Sequence, residues 1–407
     1  MNNHILYISY DGMTDPLGQS QVIPYLIGLS KAGYNITLLS CEKEDKYNLQ
    51  GTYIQNLLDQ NNIEWSSIFF TASPPILAKY YDLYKLKKKA FELFELRKFL
   101  LVHCRSYVAA DVGLALKMKF GLKFIFDIRG FWVDERVDGG LWNLKNPIYK
   151  IAFRTYKKKE ANYISNADAI VSLTENGKEE MKKWKSYKDT QIKVIPCCAD
   201  YNLFSVQTKA ENTTIKQNLG FEKDDFVLSY LGSIGTWYML DEMLDFFKVL
   251  KTVQKKSKFL FVSNGDNQTI INTALRKGID ATDLKIVNAK RNEVPVLIKA
   301  SSLSISFIKP CYSKISSSPT KLGELLAMGI PVVCNMGIGD VDHIINYTKG
   351  GLLISDFSNC EYNKTISILS EYLSKCDPSE IRKLSRKYYD LEYGIEKYTA
   401  LYHQLLD

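Results

Sequence analysis

Short runs of continuous apolar residues alternate with helical patterns along the whole chain. "HILYIS" near the start is an unbroken apolar run of strand type. In the following "SQVIPYLIGLSKAG", Val22, Leu26 and Leu29 stand at helical spacing and Gly33 is a stop signal. "NITLLS" is the next strand, so this is a βαβ unit and predicts a parallel sheet with a right-handed crossover. Further strands are predicted at 99–103, 123–128, 169–174 and 192–196. After about Phe204 the alternation restarts, with strands at 226–232, 259–265, 284–288 and 303–308 and helices between them. The polar stretch 205–225 reads as the linker. The fold class predicted is α/β, two doubly wound Rossmann-like domains facing across a cleft. In such sheets ligands sit beyond the carboxyl ends of the strands, so the cleft is the expected site.

The 407 residues suit two domains, and 46% apolar with 24% charged residues is ordinary for a globular chain. No apolar run approaches the ~20 residues of a membrane span. "MNNHILYISY" lacks a basic region followed by an apolar stretch, so a cytoplasmic location is expected. The eight cysteines include no CxxC, and His4, His103, His343 and His403 are dispersed, so neither a metal site nor a disulfide framework is expected. The net charge of +8 fits an anionic small molecule or a membrane surface. Nucleic acid is disfavoured, because no recognised module is present and the basic residues are spread out.

The chemistry concentrates at the predicted strand ends. In "SSSPTKLGELLAMGIPVVCN" (316–335), Ser318 reads as a helix N-cap and Pro319 as the first helical residue. Leu322, Leu325 and Leu326 form one face, and Thr320, Gly323, Glu324 and Ala327 a face of small residues that another group can approach. Backbone N–H groups over 317–320, the hydroxyls of Ser316, Ser317, Ser318 and Thr320, and the Lys321 ammonium suit a phosphate. Glu324, one turn along, suits a sugar diol. A solvated glutamate on a surface helix fits the local pattern equally. Gly18 in "YDGMTDPLGQSQ", Gly232 and Ser233 in "LGSIGT", and Gly265 in "SNGD" mark turns that could bring N–H groups to an anion. "FDIRGFWVDERVDGG" (126–140) gathers Asp127, Arg129, Asp134, Glu135, Arg136 and Asp138 around Trp132, as an anion clamp or as an ion-pair network. "HCRS" adds Arg105.

Together these motifs resemble the nucleotide-sugar glycosyltransferases of the GT-B fold, of the retaining family-4 type. "VIPCCADYNLF" (194–204) is similar to that family's interdomain signature, and "PTKLGELLAMGIPVV" to its donor motif, with Glu324 at the place of the ribose ligand. "YYDLEYGIEKYTALYHQLL" (388–406) is similar to its terminal helix. The resemblance implies an acceptor-side domain over 1–203, a donor domain over 204–385 and a returning helix over 386–407. It implies no cofactor beyond the nucleotide-sugar substrate, no metal, and retention at the anomeric carbon, with Arg129, Lys321 and Glu324 as the catalytic set. Two positions depart from the family: Ser316 stands where a first glutamate is common, and Arg129 where a histidine is common. The Arg and Lys that usually follow the second domain's first strand are missing, leaving Lys321, Arg129, Arg105 and Lys309 to supply that charge. The partners implied are a nucleotide-sugar donor and a sugar or lipid-linked sugar acceptor in surface polysaccharide or glycolipid assembly. The basic, aromatic helix 79–99 reads either as a contact with the inner face of the membrane or as a packed amphipathic helix. The rival functions are a nucleotide-sugar epimerase, which would act on donor alone, and a non-catalytic partner subunit, which would turn nothing over.

Overall fold

The structure, a computed structural model, describes residues 3–71, 73, 75–206 and 208–407. The chain divides into two compact units, Met1–Pro196 with Leu391–Asp407, and Cys197–Asp390. The first holds a seven-stranded parallel sheet: β1 (His4–Ser9), β2 (Asn35–Glu42), β3 (Ile63–Phe69), β4 (Leu101–Arg105), β5 (Lys123–Asp127), β6 (Ala169–Ser172) and β7 (Ile192–Val194), in the order β3-β2-β1-β4-β5-β6-β7. The second holds six: β8 (Phe226–Leu231), β9 (Ser257–Val262), β10 (Leu284–Val287), β11 (Leu303–Ser306), β12 (Val332–Asn335) and β13 (Gly351–Ile354), in the order β10-β9-β8-β11-β12-β13. Each order reverses once, at β1/β4 and at β8/β11, and a switch point opens a crevice at the carboxyl ends of the strands.

Both faces of the central strands are buried, which explains their unbroken apolar runs. In β9, Leu260 and Val262 point into one core layer with Leu322, Leu325 and Val332, while Phe259 and Phe261 point into the other with Phe246, Phe247 and Phe307. The helix Thr320–Ala327 lies in the first of these layers and is buried nearly all round. Its small-residue side is closed by the chain itself: a Cβ on Gly323 would stand 3.0 Å from the ring of Tyr389.

Three local expectations change. The 205–225 stretch lies inside the second unit and carries a helix, Lys209–Asn218, with a full Thr208/Glu211 capping box. The terminal helix is broken at extended Asp390 into Pro378–Tyr389 and Leu391–Leu406, and the latter is part of the first unit. The 79–99 stretch is the body of the helix Pro75–Arg97, which buries Leu86, Ala90, Leu93 and Phe94 in the first core and leaves Lys87 and Lys88 to solvent. Among the described residues, no helix is long and apolar enough to cross a membrane.

Candidate functional site

In the second unit the sequence-predicted residues converge at the carboxyl ends of β8 and β11. β8 ends at Leu231 and turns through Gly232, whose φ of 116° is open to glycine alone. The Lys321 Nζ stands directly over this turn, 2.8 Å from where a Gly232 Cβ would be. The ammonium donates to the Tyr230 hydroxyl at 2.9 Å and lies over the Tyr238 ring, 3.5 Å from its centroid. Tyr230 in turn donates to the Ser233 carbonyl at 2.8 Å, so the turn and the lysine share one network. Among the described residues no carboxylate lies within ion-pair range of Lys321, although the side chain is buried. Burial lowers its pKa from the ordinary lysine value to about 7, and the charge of Glu324 one turn along pulls it only partly back.

Glu324 is also buried, only 4% exposed, and is ion-paired with Arg291, which sequence reasoning had not singled out. Burial raises its carboxyl above the usual range, and Arg291 pulls it partly back. The solvated-glutamate reading is therefore overturned. The Arg291 guanidinium stacks on the Phe204 ring at 4.8 Å and leaves the 288–292 loop for this purpose. That loop is fixed by Asn264, whose side chain donates to the Ala289 carbonyl and accepts from its N–H, at 2.7 and 2.9 Å. Gly265 follows Asn264, and its Cβ position lies 3.6 Å from the Ile234 N–H, so the two turns are neighbours.

The serine run behaves differently from its sequence reading. The helix begins at Thr320 with Pro319 at the cap position, one residue later than predicted. The Ser318 hydroxyl is no cap: it accepts the Cys197 N–H at 3.2 Å. Ser316 closes a 3-10 turn, buried, its hydroxyl donating to the Ser313 carbonyl at 3.0 Å. The Ser317 N–H is committed to the Lys314 carbonyl, and Pro319 has no N–H. The amides of Ser318, Thr320 and Lys321 remain for a ligand. Lys309 is exposed on the loop after β11, its N–H on the Trp237 carbonyl.

The first unit holds a second cluster, at the carboxyl ends of β1, β4 and β5. Asp127 is fully buried, with the Arg129 Nη1 at 3.7 Å, the His103 Nε2 at 3.5 Å and a hydrogen bond from the Tyr398 hydroxyl at 3.0 Å. Burial pushes this carboxyl up, but Arg129, His103 and Arg105 outweigh it and hold it below the ordinary value. His103 is lowered by burial, so its imidazole is neutral near pH 7, and its Nδ1 pairs with the Tyr402 hydroxyl at 2.7 Å. Arg129 sits at φ 55°, a strained position for a non-glycine residue. Arg105 closes β4, buried, with its Nε 3.4 Å from Asp11. The later polar residues form the ion-pair network: Lys157 joins Asp134 to Glu160, and Arg136 stacks on Trp132. Gly18 does not present an anion site. It packs on the Gly12 carbonyl, and the Met13 and Thr14 amides of that turn are taken by the buried Glu42 carboxylate, at 2.7 and 3.1 Å.

Gly232 offers a direct check. Alanine there needs a strained backbone and meets the Lys321 ammonium. Gly232→Ala is expected to lower the denaturation midpoint by an amount equivalent to about 1–3 kcal/mol, and an unchanged midpoint would contradict the tight fit.

Two doubly wound parallel-sheet units of this kind, with the last helix part of the first, define the GT-B class. Residues 22–203 match the sequence model of Glycosyltransferase Family 4, and the chain has the fold of the GT-B glycosyltransferases. Sucrose-phosphate synthase from Thermosynechococcus elongatus superposes over 99% of both chains at 15% identity, with a TM-score of 0.71. Anabaena HepE in complex with UDP and glucose covers 98% of this chain and 99% of its own at 13% identity, TM-score 0.73. WaaG, a glycosyltransferase involved in lipopolysaccharide biosynthesis, covers 98% and 99% at 13% identity, TM-score 0.67. No curated protein matches the chain in sequence.

Proposed function

We propose that the protein transfers a sugar from a nucleotide diphosphate sugar to an acceptor hydroxyl, with retention, in the cytoplasm. The observation that carries this reading is the buried Lys321, an ammonium with aromatic and hydroxyl neighbours but no carboxylate in range. A diphosphate over Gly232 supplies the missing negative charge. The free amides at the start of Thr320–Ala327 add their dipoles, and the Glu324 carboxylate one turn along takes the ribose hydroxyls. As the glycosidic bond breaks, charge grows on the leaving diphosphate, and these preorganised donors stabilise it without metal. Arg105, Asp127 and Arg129 belong to the acceptor side, and Lys309 lies at the donor rim. The acceptor is a sugar or lipid-linked sugar of surface polysaccharide or glycolipid assembly, met through peripheral membrane contact. Support comes from HepE, seen with UDP and with UDP-glucose, and from the named role of WaaG.

Ser316 in place of a carboxylate and Arg129 held on Asp127 favour one other reading, a donor-binding subunit without turnover. Thermal denaturation with UDP, GDP, ADP and CMP separates these outcomes when followed by hydrolysis of the matching nucleotide sugar. One nucleoside diphosphate is expected to raise the melting temperature, and its sugar conjugate to be slowly hydrolysed. Binding without hydrolysis supports the partner subunit, and no stabilisation by any nucleotide removes the donor site.

A further inference from the structure

The first unit carries a protruding apolar surface that the donor chemistry does not use. The helix Pro147–Asn166 emerges from a loop, and every residue from Asn143 to Ile151 is exposed. In a globular protein the first turns of a helix normally bury at least one apolar stripe. Here Ile148 and Ile151, one turn apart, are 62% and 64% exposed, and Leu141 is 57% exposed. The half-exposed Trp142 and the exposed Tyr149 flank them with rings that carry a polar edge.

Charge along this segment of the chain has one sign. From Gly139 to Lys159 the sequence holds no Asp or Glu, while Lys145, Lys150, Arg154, Lys157, Lys158 and Lys159 all fall within it. Lys157 and Lys159 are spent on Asp134, Glu160 and Asp111. Among the described residues Lys145, Lys150, Arg154 and Lys158 have no carboxylate partner. The neighbouring helix Pro75–Arg97 joins the surface at its start: Lys79 stacks on Trp132 and Tyr156, and the next residues, Tyr80 and Tyr81, are exposed.

We infer that the first turns of Pro147–Asn166 form a lipid-docking element, in which Ile148 and Ile151 enter the interface of an anionic bilayer and Lys145, Lys150 and Arg154 meet its headgroups. An apolar tip ringed by cations is complementary to such a surface, because the acyl boundary takes the isoleucines and the headgroups neutralise the lysines. A protein groove would have to supply both an apolar socket and a ring of acids. This inference rests on the peripheral contact proposed above and moves it from the helix Pro75–Arg97, whose apolar face is packed on the core.

Sedimentation with vesicles of phosphatidylcholine, alone or mixed with phosphatidylglycerol, tests it on the whole protein without donor. The protein is expected to bind the mixed vesicles and to lose about tenfold or more of that affinity in Ile148→Ser/Ile151→Ser and in Lys145→Glu/Lys150→Glu. All four side chains are exposed, so unchanged melting temperatures will show that the fold is intact. Full binding by both variants overturns the assignment of the surface, and so does equal loss from Tyr80→Ser/Tyr84→Ser alone. Absence of vesicle binding overturns the membrane contact altogether. A dimer that Ile148→Ser/Ile151→Ser breaks, in a protein indifferent to vesicles, would assign the surface to a second copy instead. Nucleoside diphosphate binding, measured on the same variants, is expected to be unchanged, so failure here is separable from failure of the donor reading.

Discussion

Lys321→Met is expected to abolish donor binding and to make the empty protein more stable. The two effects have one cause. The wild-type ammonium is buried against Tyr230 and Tyr238 with no carboxylate in ion-pair contact, and its pKa falls from 10.5 to about 7 although the charge of Glu324 opposes the fall. A lysine with its native pKa below its unfolded one opposes folding. The native state binds fewer protons between the two values, so stability from this group rises with pH there. The full penalty acts below about pH 7 and fades as pH climbs toward the ordinary lysine value. A shift of this size corresponds to roughly 4–5 kcal/mol as an upper bound. Methionine keeps the length, removes the charge and lies well against aromatic rings. Tyr230 loses a donor but keeps its own bond to Ser233. The variant is expected to melt several degrees higher at about pH 6 and nearly with the wild type well above pH 9. Donor binding has the opposite preference. A diphosphate raises the Lys321 pKa again, so wild-type affinity is expected to be full below about pH 7 and to fall up to tenfold per pH unit above it. Calorimetric titration of the methionine variant decides the matter: donor affinity equal to wild type would remove Lys321 from the site.

That coupling was half legible in the sequence. The helix with Lys321 and Glu324 one turn apart follows from local spacing, and so does the glycine turn after β8. What makes Lys321 unusual comes from Tyr230 and Tyr238, which stand 91 and 83 residues earlier and are brought over by the sheet. Arg291 was hidden for the same reason. Local reading also misassigned groups whose partners are distant. Ser318 has the residue type and position of a cap, yet its hydroxyl is drawn to Cys197. The glycine-bearing turn near Gly18 looks open to an anion, but its amides already hold Glu42, an acid from the end of β2. The central strands could be read because both faces are buried. β3, "IEWSSIF" at the sheet edge, has no continuous apolar run and was missed together with the helix Glu44–Asp59 before it.

Glu324 and Arg291 are expected to respond unequally to removal of their partner, and the inequality separates a ligand from a structural pair. In Glu324→Gln the remaining guanidinium has 30% of its side chain in solvent and stacks on Phe204, so it can hydrate in place. The expected stability loss is below about 1 kcal/mol, typical of a partly exposed pair. If Glu324 holds the ribose, the same substitution weakens an ionised acceptor of two hydroxyl hydrogen bonds, and kcat/KM is expected to fall by about 10²-fold or more. Arg291→Ala inverts this pattern. It leaves a nearly fully buried carboxylate without its main cation, and the loss is expected to be about 2–4 kcal/mol at neutral pH. Here the native carboxyl pKa rises above its unfolded value. The native state then binds more protons, and stability falls as pH climbs through the native pKa. The deficit of Arg291→Ala should therefore shrink on acidification toward the unfolded glutamate range and be complete once the pH has passed the native pKa. Compared with the wild type at the same pH, donor binding by that variant should recover as pH rises, since the ionised Glu324 is the form that accepts the ribose hydroxyls. Equal stability losses for the two substitutions, with donor kinetics untouched in Glu324→Gln, would make the pair a structural brace and leave the ribose without its ligand.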